Sequence, residues 1–408
     1  MNEQYCALPI TSDSSAAIDA IHAFADELVS HGSNCRVIFD ALAADPDCAL
    51  AQAYAAALFL TAMTREGRVQ AAPRIAAARL FAPYVSQRER HTVEAIAAWG
   101  SGDDSRAIRL LRELVACWPH DLVAAKLCQV LELGHGDFAG MIRTSSMAAS
   151  VDGRSGQALG LHAFALDQNG DPEVALRFAR RAIELSPGRD PWAQHAAAHA
   201  MAALDQPVEG RAFLHAHAND WDRCSSFMLT HNWWHMALFS LSLGDEARAL
   251  HVFDERVWGV RKGHCQDQIN AISLLARLEI AGVDADWRWA DIAAHVEDRI
   301  GDRISGFLDL HYLYALARAG CDSGVDEMMG DLAARSSEAL TVSLSRGLVA
   351  HARGEYQSAA HALAPARPHL AHIGGSNVQR ELFEAIFAHS LRKIREPQYG
   401  RDRWRQAA

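Results

Sequence analysis

Alternating runs of Val, Ile and Thr, the usual material of strands, are nearly absent from this 408-residue chain, so a sheet has little to form from. No stretch of about 18 uncharged apolar residues occurs, which argues against a membrane-spanning helix. The start, MNEQYCALPITSDSS, has neither the basic residues nor the apolar h-region of a secretory leader. Eight cysteines are scattered with no Cys-x-x-Cys pair, which fits reduced packing residues in a protein expected to be cytoplasmic. Basic residues are not clustered and the formal net charge is −11. A phosphate-binding face needs concentrated positive charge, so nucleic acid is not an expected partner, nor is a membrane.

Alanine is what the chain has in quantity, as in AQAYAAALFL and AIAAWG, within a composition that is 50% apolar and 22% charged. That balance can bury a large core, and its residues favour helix. The expected class is all-α. Length alone allows two or three domains or one repeat array, and internal periodicity favours the array. In ALDQNGDPEVALRFARRAIELSPGR, placing Gly170 and Asp171 at turn positions 15 and 16 puts Ala175, Ala182 and Pro187 at positions 20, 27 and 32. Those are the small and Pro positions of a tetratricopeptide repeat, whose period is about 34 residues. The same frame fits Gly102 with Ala107, Leu111 and Pro119, then Gly354 with Gly347, Ala359 and Leu363, then Gly244 with Ala237, Ala249 and Phe253. Small residues at positions 8 and 20 let the two helices of a hairpin approach closely.

The reading is one tetratricopeptide-like α-solenoid over 16–395, a right-handed superhelix of about ten hairpins by length over period, closed around a central pocket. Residues 1–15 are expected as an N-terminal tail and 396–408 as a C-terminal tail. Residues 64–75 read as a loop, 257–268 as a longer connection, and 281–306 as a segment holding an off-pattern helix.

Two stretches, HAAAHAMAAL at 195–204 and HNWWHMALFS at 231–240, each carry His-x-x-x-His. On a helix, residues i and i+4 share a face, so His195 with His199 and His231 with His235 each present two imidazoles in one direction. Both intervals equal 36 residues, which places the pairs on first helices of successive hairpins, along the inner wall. Asp267 and Asn270 follow at the same interval, Asp309 and His311 one repeat later, and His162 precedes. Trp192, Trp233 and Trp234 supply aromatic walls, as suits a pocket with apolar sides and few placed polar groups.

Three chemistries fit that pattern. In the first, His231 and His235 are acid/base groups acting on a small polar organic molecule without a metal or other cofactor. His195, His199 and His311 then support them, Asp309 orients an imidazole, and Asn232 or Arg380 holds the substrate. In the second, His195, His199, His231 and His235 ligate a transition metal, with Asp267 or Asp309 completing the shell. That reading is weaker, because such pairs arise by chance among 21 histidines and the chain lacks H-E-x-x-H. In the third, the concave wall is a scaffold for a peptide or protein partner. Oligomeric state is left open by the sequence. Near the end, GGSNVQRE gives a Gly374–Gly375 turn with Ser376 or Asn377 as helix cap, and Asn377 and Arg380 are candidates for an anionic group at a helix N-terminus.

PWAQHAAAHAM, HNWWHMALFSLSLGDEARAL, INAISLLARLEIAGV, DLHYLYALARAG and GGSNVQRELFE, in that order, resemble the tetratricopeptide repeat protein 38 family over most of the chain. HNWWH is the most specific block. The resemblance implies an α-solenoid with these blocks facing inward and brings no settled activity. It also implies Asp where Asn270 stands and His where Asn377 stands, so a family carboxylate and imidazole are missing here.

Overall fold

The computed structural model describes residues 8–151, 155–188, 190–335 and 339–396, and within them the chain is all-α. Its first helices are α1 (Ser15–Ser30), α2 (Ile38–Ala44), α3 (Ala49–Thr61), α4 (Arg65–Phe81), α5 (Gln87–Gly100), α6 (Asp104–Cys117) and α7 (Leu122–Gly134). The middle comprises α8 (Phe138–Val151), α9 (Gly156–Gln168), α10 (Pro172–Leu185), α11 (Pro191–Ala203), α12 (Pro207–His217), α13 (Ser226–Ser242) and α14 (Glu246–Val252). The last are α15 (Cys265–Ile280), α16 (Asp286–Val296), α17 (Gly306–Arg318), α18 (Asp322–Arg335), α19 (Ala339–Ala352), α20 (Tyr356–Leu363) and α21 (Asn377–Arg395).

Consecutive helices pair as hairpins of tetratricopeptide type. The glycines at position 15 of the four frames all turn with left-handed backbone, φ 80° at Gly102, 94° at Gly170, 71° at Gly244 and 76° at Gly354, a conformation glycine adopts without strain. A fifth hairpin, α11 with α12, turns instead through Asp205 at φ 53°. Its position 20 is Gly210, where a Cβ would run into the Phe239 ring, so α12 lies directly on α13.

Three expected boundaries change. Residues 64–75 are helical: Thr64 caps α4 by accepting from the Gly67 amide at 3.0 Å, and α4 runs through Pro73 to Phe81. Packing along α3 outweighs the one helical hydrogen bond that Pro73 removes. The connection after α14 opens with a π-helical turn, Phe253–Val257, and α15 already starts at Cys265. Residues 8–14 are bound to the body. The Thr11 amide donates to Glu89 at 2.8 Å, the Ser12 hydroxyl to Asp45 at 2.5 Å, and Ser14 caps α1. The other tail positions, 1–7 and 397–408, lie outside the described residues.

Contacts far apart in sequence draw the superhelix tight. The Ser225 amide donates to the His31 carbonyl at 2.7 Å, beside a β-bridge between Gly32 and Cys224. Arg65 N donates to Asp302 at 3.0 Å, and the Cys265 thiol to the Ala62 carbonyl at 3.1 Å. Helix α21 folds back inside, its Asn377 amide donating to Gln168 at 2.8 Å and its Val378 carbonyl accepting from Arg277 at 2.8 Å. The buried apolar residues form two main clusters, and α13 serves both: Met236 and Phe239 belong to one, Trp234 and Ala237 to the other. No helix among the described residues is long and apolar enough to cross a membrane.

Candidate metal centre

Each histidine pair stands on a helix with a defined start. Asp190 caps α11, its carboxylate accepting from the Ala193 amide at 2.9 Å, and Pro191 at the first helical position fixes φ for entry. Ser225 caps α13 in the same way. The two helices pack together, and the four imidazoles meet between them. Ring centroids are 4.5 Å apart for His195 and His199, 4.8 Å for His195 and His231, 4.6 Å for His199 and His235, and 5.0 Å for His231 and His235. All four are at most 2% exposed.

One ring nitrogen from each histidine can be chosen so that the four lie within 4.8 Å of one another, the single group of this kind among the described residues. Tetrahedral zinc with nitrogen ligands places them about 3.3 Å apart, closer than the widest separation in this group. Both ring nitrogens of His195, Nε2 of His199 and Nε2 of His235 are buried with no hydrogen-bond partner. Buried polar atoms are ordinarily paired, so the unpartnered nitrogens of His195, His199 and His235 leave each of these three rings one lone pair free to act as a donor.

Two rings are held from behind. Asp167 Oδ2 lies 3.4 Å from His199 Nδ1, and Asn270 Oδ1 accepts from His231 Nδ1 at 2.8 Å. A partner on Nδ1 fixes the tautomer that leaves Nε2 free as a ligand. Burial, then the neighbouring imidazoles, pushes His195 and His235 well below the ordinary histidine range. Burial lowers His231 to about 3, against the Asn270 hydrogen bond that raises it. Neutral imidazoles at neutral pH are ready donors to a metal and poor reservoirs of exchangeable protons.

The remaining expected residues divide. Trp234 stacks on His231 at 5.1 Å with the rings 8° apart, and Trp192 lies 4.6 Å from His195. Trp233 does not line the cluster, since one residue of helix turns it outward, where it meets Trp221 and the Arg256 guanidinium. Asn232 lies 3.5 Å from the Pro191 carbonyl and ties α13 to α11. His162 faces Ser145 and Phe178, and His311 donates to its own helix at the Phe307 carbonyl, so neither joins the four. Asp309 is buried on α17. The four imidazoles gather without Asp309 or Asp267, which corrects the expectation that one of these carboxylates completes a shell. Arg380 binds the Gly375 carbonyl and Asn377 side chain, and Asn377 reaches the end of α9. They lock the last helix in place and present no open anion site. Ser376 is the cap, in a capping box with Gln379.

Asp267 bonds the Thr230 hydroxyl at 2.8 Å, and burial raises its carboxyl from 3.8 to about 6. A carboxyl raised on folding favours the folded state while protonated, and that contribution is lost as pH climbs from its unfolded to its folded value. Asp267→Asn is therefore expected to gain stability relative to the parent chain between about pH 4 and pH 6, read from urea midpoints at each pH.

Asp167, Gln168, Arg277 and Glu381 also surround the centre and carry no spacing signal of their own. Asp167 and Gln168 end α9, one hairpin before His199. Arg277 lies over the Trp234 ring at 5.5 Å, and burial lifts the Glu381 carboxyl above the ordinary range. A cavity of about 100 Å³ opens between α12, α13 and α21, lined by Asp205, His235, Phe239, Ser242, Val378 and Glu381. A larger open depression of about 650 Å³ near Met329, Arg346 and Gln357 has none of the four histidines in its wall.

No family model matches the chain. Among solved structures, the chain is similar to the human IFIT1 dimer with m7Gppp-AAAA, at 12% identity over 96% of this chain and 88% of that one, TM-score 0.47. It is similar to a chain of the APC/C hetero-tetramer Cut9-Hcn1, at 10% identity over 91% and 71%, TM-score 0.43. A tetratricopeptide repeat protein from Parabacteroides merdae matches at 13% identity over 74% and 98%, TM-score 0.30. The class defined by the hairpins and their turns is an all-α helical repeat protein of tetratricopeptide type.

Proposed function

We propose that this chain is a metalloprotein of the tetratricopeptide repeat protein 38 family, in which His195, His199, His231 and His235 hold one late transition-metal ion of the zinc class. A small polar organic ligand reaches the centre through the cavity beside His235 and Glu381. The observation that supports the reading is a group of four buried imidazoles with one ring nitrogen from each within 4.8 Å of the others, three of the rings carrying a nitrogen without a hydrogen-bond partner. All-nitrogen sets suit zinc, copper and nickel, and Asp167 and Asn270 supply the outer support such ligands usually have. Metal-free acid/base work fits less well, because burial holds His195, His231 and His235 well below a useful pKa.

The test is metal analysis of the chain purified without chelators, followed by cobalt addition to the metal-free form. The expected result is about one ion per chain and visible absorption of tetrahedral cobalt. Absence of both, after dialysis against zinc and against cobalt, would sink the proposal. Asn270→Ala is expected to weaken zinc binding by about 10- to 100-fold, measured by competition with a chromophoric chelator.

A further inference from the structure

Of the 39 basic residues only three are lysine: Lys126, Lys262 and Lys393. Two lie partly exposed at the surface in ordinary ion pairs, Lys262 with Asp291 and Lys393 with Glu396. Lys126, on α7, is 3% exposed, and no carboxylate among the described residues forms an ion pair with it. Its Nζ sits over the Trp192 ring, 3.6 Å from the centroid, and touches His31 Nε2. The His31 ring stacks on Trp192 at 4.9 Å and lies 5.7 Å from Phe227. His31 is held in a left-handed conformation at φ 57° as the C-cap of α1, an uncommon and strained state for a non-glycine residue.

The buried arginines are used differently. Arg277 and Arg380 donate hydrogen bonds to backbone carbonyls, and a guanidinium never loses its charge, whereas a buried lysine can. Burial lowers the Lys126 ammonium to about 7 and keeps His31 well below its ordinary value. Asp190, the nearby buried carboxyl, is itself raised by burial. A chain that otherwise builds its cations from arginine thus places a lysine where a good part of the amine is uncharged at neutral pH, against the His31 imidazole and the Trp192 ring.

We propose that Lys126 is a nucleophilic amine that forms a Schiff base with a small aldehyde or ketone, with His31 moving the protons. The Nζ lone pair attacks the carbonyl carbon. The two amine protons pass by way of His31 Nε2 to the carbonyl oxygen, which leaves as water while the C=N bond forms, so no oxidant or reductant takes part. Burial of the amine against Trp192 keeps bulk water from the product. This inference stands apart from the metal reading, since neither Lys126 nor His31 belongs to the four-histidine group.

The experiment treats the full-length chain at neutral pH with acetaldehyde and cyanoborohydride, which traps an imine as a secondary amine, and follows each lysine by peptide mass spectrometry. In the folded chain Lys126 is expected to be alkylated at least about 10-fold faster than Lys393, whose amine is held in an ion pair with Glu396. In urea that advantage disappears, and His31→Gln slows Lys126 several-fold without changing Lys393. Labelling of Lys126 no faster than Lys393 in the folded chain, or none at all, overturns the proposal. The wild-type ratio decides the matter if His31→Gln does not fold. Lys126→Met, which removes the amine, leaves metal content unchanged, so failure here and failure of the metal proposal are separately visible.

Discussion

The double variant His199→Gln, His235→Gln is expected to bind less than about one-tenth of an ion per chain under conditions where the parent chain binds about one. One ligand is taken from each helix, and the two imidazoles left behind cannot close a tetrahedral shell. Glutamine keeps comparable bulk in a region where every ring touches its neighbours, so far-UV circular dichroism should report an intact helical fold. Loaded chain at a free metal concentration 100 times its Kd gains about 2.7 kcal/mol of stability, and the variant should lose that chelator-sensitive increment in thermal melts. Full metal occupancy in the variant would place the ion elsewhere.

Trp234→Ala is expected to cost about 3–5 kcal/mol, against about 1 kcal/mol or less for a side chain at the rim, as at Trp233. The two tryptophans are adjacent in HNWWH yet live in different surroundings. Trp234 is fully buried, packed between the His231 ring and the Arg277 guanidinium. Trp233 is half-buried against Trp221 and Arg256. Urea denaturation of the two single variants measures the difference, and equal losses would contradict the inward placement of Trp234.

That pair also shows how far the sequence could be read. Two-residue resolution was available, because His-x-x-x-His with a 36-residue interval is enough to bring four imidazoles to one wall. Single-residue rotation about α13 was not, so Trp233 was expected inside. The hairpin of α11 and α12 escaped the repeat frame because Asp205 takes the left-handed turn that glycine marks elsewhere. Residues 64–75 read as a loop because Gly67 and Pro73 are helix breakers in isolation, while contact with α3 decides their state in the fold. Convergence was the least legible property. Asp167, Lys126 and His31 belong to distant hairpins, and nothing in their local sequence announces that closure of the superhelix brings them beside α11. The unpartnered ring nitrogens of His195, His199 and His235 are likewise a fact of three-dimensional packing that no local sequence carries.

The contact of Arg65 with Asp302, 237 residues apart, and that of Asn377 with Gln168, 209 apart, change how such a chain must fold. An open array of helical hairpins can nucleate anywhere, grow by neighbours and lose a terminal unit at small cost. Here α1 rests on the start of α13 through the His31 corner, and α21 is inserted against α9 and α15. The first helix made therefore waits for the middle of the chain, and the middle waits for the last. Long loops close before these contacts form, which slows folding relative to a repeat array of the same helix content. Once assembled, the helices stand or fall together, and shortening the chain from either end removes a keystone where an ordinary solenoid would lose only a rung.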